Sequence, residues 1–366
     1  GTGSGFSFGS FNTAGTYTVL ATNATTFCTQ NMTGSSVIAV NPLPVAYSVT
    51  GGGNYCAGGA GYSVGLSGSE SGINYQLYNG GTAVGSVVAG TGSSISFGTY
   101  TTAGTYSVLA TNATTSCSNA MTGSSTIVIN ALPTVYSVTG GGAYCNGGTG
   151  VAVGLAASQA GVDYQLYRGA TAVGSAVAGT GSALSFGLQT VAGSYTVVAT
   201  NSTTSCVSNM TGSAVVSVNP LPAAQTVTGG GNYCAGSAGV AVGLSGSVSG
   251  INYQLYLGSS TLGSPVAGTG SALSFGVMTS AGTYSVLATD ATTACTTNMT
   301  GTAVVGILAA PASYNVTGGG NYCAGGAGHA IGLVSSNTGI DYQLYNGSTA
   351  IGSPVAGTGS AISFGV

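Results

Sequence analysis

Only the cysteines of this 366-residue chain combine reactive side chains with a regular spacing. Cys56, Cys145, Cys234 and Cys323 recur every 89 residues, and Cys28, Cys117, Cys206 and Cys295 recur at the same interval. The chain has one His and four acidic residues, too few to complete metal sites around eight thiols, so the cysteines read as disulfide partners. Disulfides place a protein outside the reducing cytosol.

None of the acidic or basic side chains keeps the period. Glu70 corresponds to Gln159, Val248 and Asn337, and Arg168 to Asn79, Leu257 and Asn346. His329 stands where the other copies have Tyr62, Val151 and Val240, Asp290 replaces Asn23, Asn112 and Asn201, and Asp163 and Asp341 share a position with Asn74 and Asn252. Acid–base catalysis needs a positioned titratable group and nucleophilic catalysis a base beside the nucleophile, and the repeat supplies neither. The expectation is a protein that is not an enzyme, with no catalytic, cofactor-binding or metal-ligating residue. His329 reads as a tolerated strand substitution, and three Asp and one Glu serve calcium poorly. Without lysine, a Lys–Asn cross-link is excluded. Arg168 alone cannot neutralise nucleic-acid phosphates, and no apolar run of 18 residues is present to span a membrane as a helix. The Gly51-Gly52-Gly53 triplet precedes strand rather than a helix N-terminus, so it reads as a turn or bulge and not as a phosphate cradle. Acceptor sequons for N-glycosylation occur at Asn23, Asn31, Asn112, Asn201, Asn209, Asn298, Asn315 and Asn346. With so little charge, either sugars cover the β surfaces or their association is the function.

The elements that position these residues come from the repeat itself. GTGSGFSFG begins at Gly1, and related phrases begin at Gly90, Gly179, Gly268 and Gly357 with no insertion between them. Short alternating apolar and polar segments separated by Gly, Ser, Asn and Pro clusters predict an all-β unit. In residues 44–132 the expected strands are Ala46–Thr50, Tyr62–Leu66, Ile73–Tyr78, Ala83–Val88, Ser93–Phe97, Thr105–Ala110 and Ser125–Ile129, with a hairpin turn at Asn79-Gly80-Gly81. Seven strands without helical periodicity fit a Greek-key β-sandwich. One tyrosine of each pair Tyr75/Tyr78, Tyr164/Tyr167, Tyr253/Tyr256 and Tyr342/Tyr345 is expected in the core. Proline-bearing linkers such as Asn41-Pro42-Leu43-Pro44 divide the chain into units at 44–132, 133–221 and 222–310. Residues 1–43 read as the C-terminal part of a unit and 311–366 as the N-terminal part of another, so the chain reads as a window on a longer array. Residues 1–43 and 312–366 complement each other, by chain continuity or by strand exchange between subunits.

Ala103-Gly104-Thr105-Tyr106-Ser107-Val108 and its copies at Tyr17, Tyr195 and Tyr284 resemble the tyrosine corner of immunoglobulin-like domains. The usual Cys two residues after the tyrosine is Val here, and the core Trp is absent. Together with GGGNYCAGG around Cys56, INYQLY, AGTYSVLATN and the NPLP linkers, the unit resembles the tandem Ig-like repeats of giant secreted and cell-surface proteins of Bacteroidota, of the adhesin or filament type. That resemblance implies export, by the type nine route, and an extracellular stalk, filament or adhesin role. The expected function is a structural stretch of an extracellular bacterial filament or surface fibre. The alternative is an adhesin stalk or array that binds carbohydrate or a surface through many weak sites. Expected partners are copies of the chain or its neighbouring repeats, with glycans as a further class; no nucleic acid is expected, and no membrane span in this stretch.

Three cysteine registers are open: within a unit, across the proline linker as Cys28–Cys56, or from one unit to the next as Cys56–Cys206 and Cys145–Cys295. Loop-closure entropy is worth about 4 kcal/mol for either of the first two and does not choose between them. The resemblance favours pairing within the unit, as Cys56–Cys117, Cys145–Cys206 and Cys234–Cys295, leaving Cys28 and Cys323 unpaired. Against it, a Cys before the second strand and one after strand F can lie at opposite poles of a sandwich.

Overall fold

The structure, a computed structural model, describes residues 1–366. The chain divides into two compact units, Gly1–Gly142 with Val151–Val216, and Ala143–Gly150 with Ser217–Val366. All regular secondary structure is β-strand apart from turns and bends.

Within the first unit, residues 44–132 form two facing sheets. One orders the strands Val49–Gly51, Tyr62–Leu66 and Ile95–Tyr100, with Tyr62–Leu66 central and antiparallel to both neighbours. The other runs Gly53–Cys56, Ser125–Asn130, Gly104–Asn112, Ile73–Asn79 and Thr82–Ala89, with the short Ser118–Ala120 strand also against Gly104–Asn112. All pairs of this sheet are antiparallel except Gly53–Cys56 with Ser125–Asn130. In the second unit residues 222–310 repeat both strand orders. In residues 133–221 the Val138–Gly140, Val151–Leu155 and Leu184–Gln189 sheet recurs, as do the pairs that Val162–Arg168 makes with Thr171–Ala178 and Gly193–Asn201.

The strands form where side-chain alternation has a face to bury. Ile73, Tyr75 and Leu77 are buried while Asn74 is exposed and Gln76 and Tyr78 are half-buried, the two-residue period of a strand covered on one side. Tyr75, Tyr164 and Tyr253 are the core members of their pairs, as expected, whereas Tyr342 is only half-buried. The pairing of Ile73–Asn79 with Thr82–Ala89 slips between Tyr75 and Leu77. There the Gln76 amide donates to the Leu77 and Val84 carbonyls and satisfies groups that the bulge takes out of the ladder. Gln165 and Gln254 do the same in their copies.

The Gly triplet has a structural task that its position as a simple turn did not suggest. Gly51, Gly52 and Gly53 all have positive φ, and they carry the chain from the end of a strand in one sheet to the start of a strand in the other. The first strand therefore begins at Val49 rather than Ala46, and Gly53–Cys56 is a second strand absent from the sequence expectation. Strands of three or four residues are too short to show alternation, which is also why Ser118–Ala120 escaped notice.

Residues 1–43 carry two strand pairs, Gly15–Tyr17 with Ser36–Ile38 and Leu20–Thr22 with Thr29–Asn31. Residues 311–366 carry Val316–Gly318, Ile331–Leu333 and Ile362–Ser363 as one sheet, and Asp341–Asn346 with Thr349–Ala356 as another.

Candidate functional site: the disulfide junctions between repeats

The sites that recur with the period are the cysteine positions, and two disulfides form, Cys56–Cys206 and Cys145–Cys295, with Cα atoms 5.5 and 5.6 Å apart. Each joins one repeat to the next across 150 residues of sequence. This corrects the within-unit register: Cys117 and Cys234 are free thiols, and Cys56, Cys145, Cys206 and Cys295 take partners in a neighbouring repeat. Cys28 and Cys323 are also free.

The physical reason lies in the strand register. Cys56 is level with Asn130, three residues past Ile127, which is level with the start of the Gly104–Asn112 strand. Cys117 sits at the other end of that strand, where its carbonyl accepts from the Asn112 amide. The two cysteines of one repeat are thus separated by about eleven residues of strand, about 35 Å at about 3.3 Å per residue, far beyond disulfide reach.

Each pole is built locally. At the Cys56 pole the Tyr55 hydroxyl donates to the Thr101 carbonyl at 2.6 Å, and the Ala57 amide donates to the Asn130 carbonyl at 2.9 Å, beside the linker that leaves the repeat. At the opposite pole a tight turn presents Cys206. The Asn201 Oδ1 accepts from the Thr203 and Thr204 amides, and the Ser205 amide donates to the Asn201 carbonyl. Ser205 then adopts φ 57°, and the Cys206 carbonyl accepts from Asn201. The same turn, with a non-glycine residue in the left-handed region, recurs at Phe27, Ser116 and Ala294. The pattern Asn/Asp-x-Thr-Thr-x-Cys is the signal that could have revealed it. Paired Cys206 and Cys295 are fully buried, whereas the equivalent Cys117 is half-buried and Cys28 exposed.

The linkers are held as well. Pro44, Pro133 and Pro222 are buried. The Asn119 amide donates to the Pro44 carbonyl at 2.8 Å, and the Glu70 Oε2 accepts from the Val45 amide at 2.8 Å. Gln159 takes the role of Glu70 toward the Thr134 amide.

The remaining ionisable positions have local partners. Asp290 caps the same turn as its Asn counterparts, and the Thr293 and Thr292 amides hold its carboxyl below the usual carboxylate range. The exposed His329 places Nε2 3.0 Å from the Asn321 carbonyl oxygen and its ring edge-on to Tyr322; it lies just outside the Ile331–Leu333 strand, not within one. Arg168 closes a hairpin opposite Thr171. Glu70, Asp163, Asp290, Asp341 and His329 form no cluster of three or more with the cysteines that could hold a metal ion. Burial raises the pKa of Tyr75, Tyr106 and Tyr164 above the ordinary phenol value. Among the sequons, Asn23, Asn31, Asn209, Asn298, Asn315 and Asn346 are exposed, while Asn112 and Asn201 are half-buried with Oδ1 engaged in the turn.

The corner before the Gly104–Asn112 strand decides the architecture. The hydroxyls of Tyr17, Tyr106, Tyr195 and Tyr284 each donate to the carbonyl four residues earlier, at 2.7–2.8 Å. Two sheets in this order, a first strand divided between them and this tyrosine corner define the fold. Each complete repeat has the immunoglobulin-like fold. No family model and no curated protein matches the chain. Solved structures similar to it include immunoglobulin-domain tandems. The ICAM-5 D1–D4 ectodomain fragment is 11% identical with a TM-score of 0.34, over 88% of this chain and 91% of that one. Sidekick-1 immunoglobulin domains 1–5 are 15% identical with a TM-score of 0.29, over 81% and 67%. The mouse nectin-like molecule 4 ectodomain is 12% identical with a TM-score of 0.28, over 75% and 99%. The fold assignment rests on the strand order and the corner, not on these scores.

Proposed function

We propose that the chain is a structural stretch of an extracellular filament or surface fibre, of the bacterial type whose tandem repeats its sequence resembles, and that it works by mechanical continuity rather than chemistry. The observation that carries this reading is the pair of disulfides joining consecutive immunoglobulin-like repeats beside a proline linker. A junction crossed by both a peptide and a disulfide stays connected under load, and closing a loop of this length is worth about 5 kcal/mol by loop-closure entropy. The disulfides also favour a location outside the reducing cytosol.

Electron cryo-microscopy of native material tests it. A filament of self-associated chains has an axial repeat of about 40 Å per domain, ten or so strand residues at about 3.3 Å plus loops. Isolated, non-associating strings that gain order only on binding a carbohydrate would replace this reading with an adhesin array acting by avidity.

A further inference from the structure

Each cysteine of a disulfide stands at one end of a single crossing of its repeat. Residues 44–56 make one such crossing. The Asn119 amide holds the Pro44 carbonyl at the pole of Cys117, and Cys56 lies level with Asn130 at the opposite pole. Residues 117–130 cross in the same direction, and Gly53–Cys56 pairs parallel with the Ile127–Asn130 part of that crossing. Residues 206–219 are the same second crossing in the next repeat. Everything between the two crossings is an excursion. Residues 57–116 hold the strands Tyr62–Leu66, Ile73–Asn79 and Gly104–Asn112, and with them Val64, Leu66, Tyr75, Leu77 and Tyr106 of the core.

We infer that the disulfides route tension past the folded cores, so that the array keeps its length when a repeat unfolds. This deepens the filament reading, and its use in a fibre rests on that reading. Between residues 45 and 223 the load passes through 45–56, the Cys56–Cys206 bond and 206–223, a shortcut across 150 residues of sequence. The loaded stretch, about thirty residues, reaches about 100 Å when drawn out at about 3.5 Å each, against about 80 Å for two folded repeats. Unfolding therefore releases almost no length. Cys145–Cys295 lays a second track one repeat later, through 133–145 and 295–310, so both tracks run through residues 133–221. In the complete repeats on either side the equivalent segments pair parallel, Gly53–Cys56 with Ile127–Asn130 and Gly231–Cys234 with Val305–Leu308. Equal tension on two parallel neighbours pulls them the same way and puts no net shear on the hydrogen bonds between them. An unfolded repeat then hangs as a slack loop beside the tracks and refolds with its core strands unloaded.

Optical-tweezers pulling of the full chain tests this, with DNA handles on azide-bearing residues introduced at Val45 and Ala223, both exposed. In the oxidised chain, a force ramp carried through unfolding should lengthen the tether by no more than about 20 Å. Dithiothreitol flowed over the same tether under load should then release about 500 Å. Cys56→Ser with Cys206→Ser should free residues 44–132 alone, in one step of about 270 Å without reductant, because Cys145–Cys295 still bridges the next repeat. Cys145→Ser with Cys295→Ser should keep the short extension, since Cys56–Cys206 spans both repeats between the handles. Steps of about 270 Å in the oxidised wild-type chain overturn the inference, as does a reductant that releases no length. A regular axial repeat in native material would survive either outcome, so the load path and the filament reading fail separately.

Discussion

Residues 11–43 and residues 100–132 have closely related sequences and opposite surroundings. In the complete repeat Tyr106 and Val108 are 0% and 2% exposed, whereas their counterparts Tyr17 and Val19 are half-buried and 36% exposed. Yet the local devices survive in both. The tyrosine corner closes at 2.8 Å in each, the Asn cap on the turn before the cysteine is intact in each, and Phe27 holds the same left-handed backbone as Ser116. Backbone-directed hydrogen bonds within five residues need no partner sheet, so they form wherever the chain carries their residues. Burial is a property of the pair of sheets, and it vanishes when one is missing.

The largest expected effect is in the core. Leu77→Ala should destabilise the 44–132 repeat by about 4 kcal/mol, and Leu344→Ala, at the equivalent position of the uncovered segment, by under about 1 kcal/mol. Denaturation followed by hydrogen exchange in each region measures both; equal costs would mean that residues 311–366 are as well packed as a complete repeat.

The disulfides come next. Cys56→Ser with Cys206→Ser should cost about 3 kcal/mol and lower the unfolding temperature, an effect that reductant reproduces, whereas Cys28→Ser in the isolated chain changes neither. Differential scanning calorimetry with and without reductant distinguishes them, and a shift on Cys28→Ser would show that this thiol is already engaged.

A smaller effect separates the two copies of the Gly triplet. A Cβ on Gly52 would lie 2.7 Å from the Thr126 carbonyl oxygen and closer still to the Ser125 hydroxyl, at φ +78°. Gly52→Ala should therefore cost about 2 kcal/mol. Gly319→Ala, at φ +77° with open space around it, should cost only the backbone strain, about 1 kcal/mol. Urea midpoints of the two variants report the difference.

The smallest concerns pH. The carboxyl of Asp290 is held below its ordinary value by the Thr293 and Thr292 amides. A depressed folded pKa stabilises above the unfolded value, about 3.9, and the contribution is lost as pH falls from there through the folded value. Unfolding of the 222–310 repeat should acquire this acid dependence and lose it in Asp290→Asn, whereas the 133–221 repeat, with Asn201, lacks it. Acid titration by NMR of the turn amides reads both.

Much of this molecule was legible in residue order. The 89-residue period, the strand Tyr62–Leu66, the core identity of Tyr75 and the corner at Tyr106 all follow from alternation, turn chemistry and repetition, because those signals are local. The role of Glu70 was not, since its partner is a backbone amide 25 residues earlier and a neutral Gln159 serves as well. The division of the first strand between two sheets was hidden too, because the sequence places Gly51-Gly52-Gly53 without saying which sheet each side joins. The disulfide register is the sharpest case. Spacing allows all three pairings and loop entropy separates them by only about 1 kcal/mol, so the choice falls to a distance: parallel pairing of Gly53–Cys56 with Ser125–Asn130 sends Cys56 to one pole and the Asn112 turn sends Cys117 to the other. A covalent bond of a few ångströms cannot cross the length of a sandwich, so each repeat is joined to its neighbour rather than to itself.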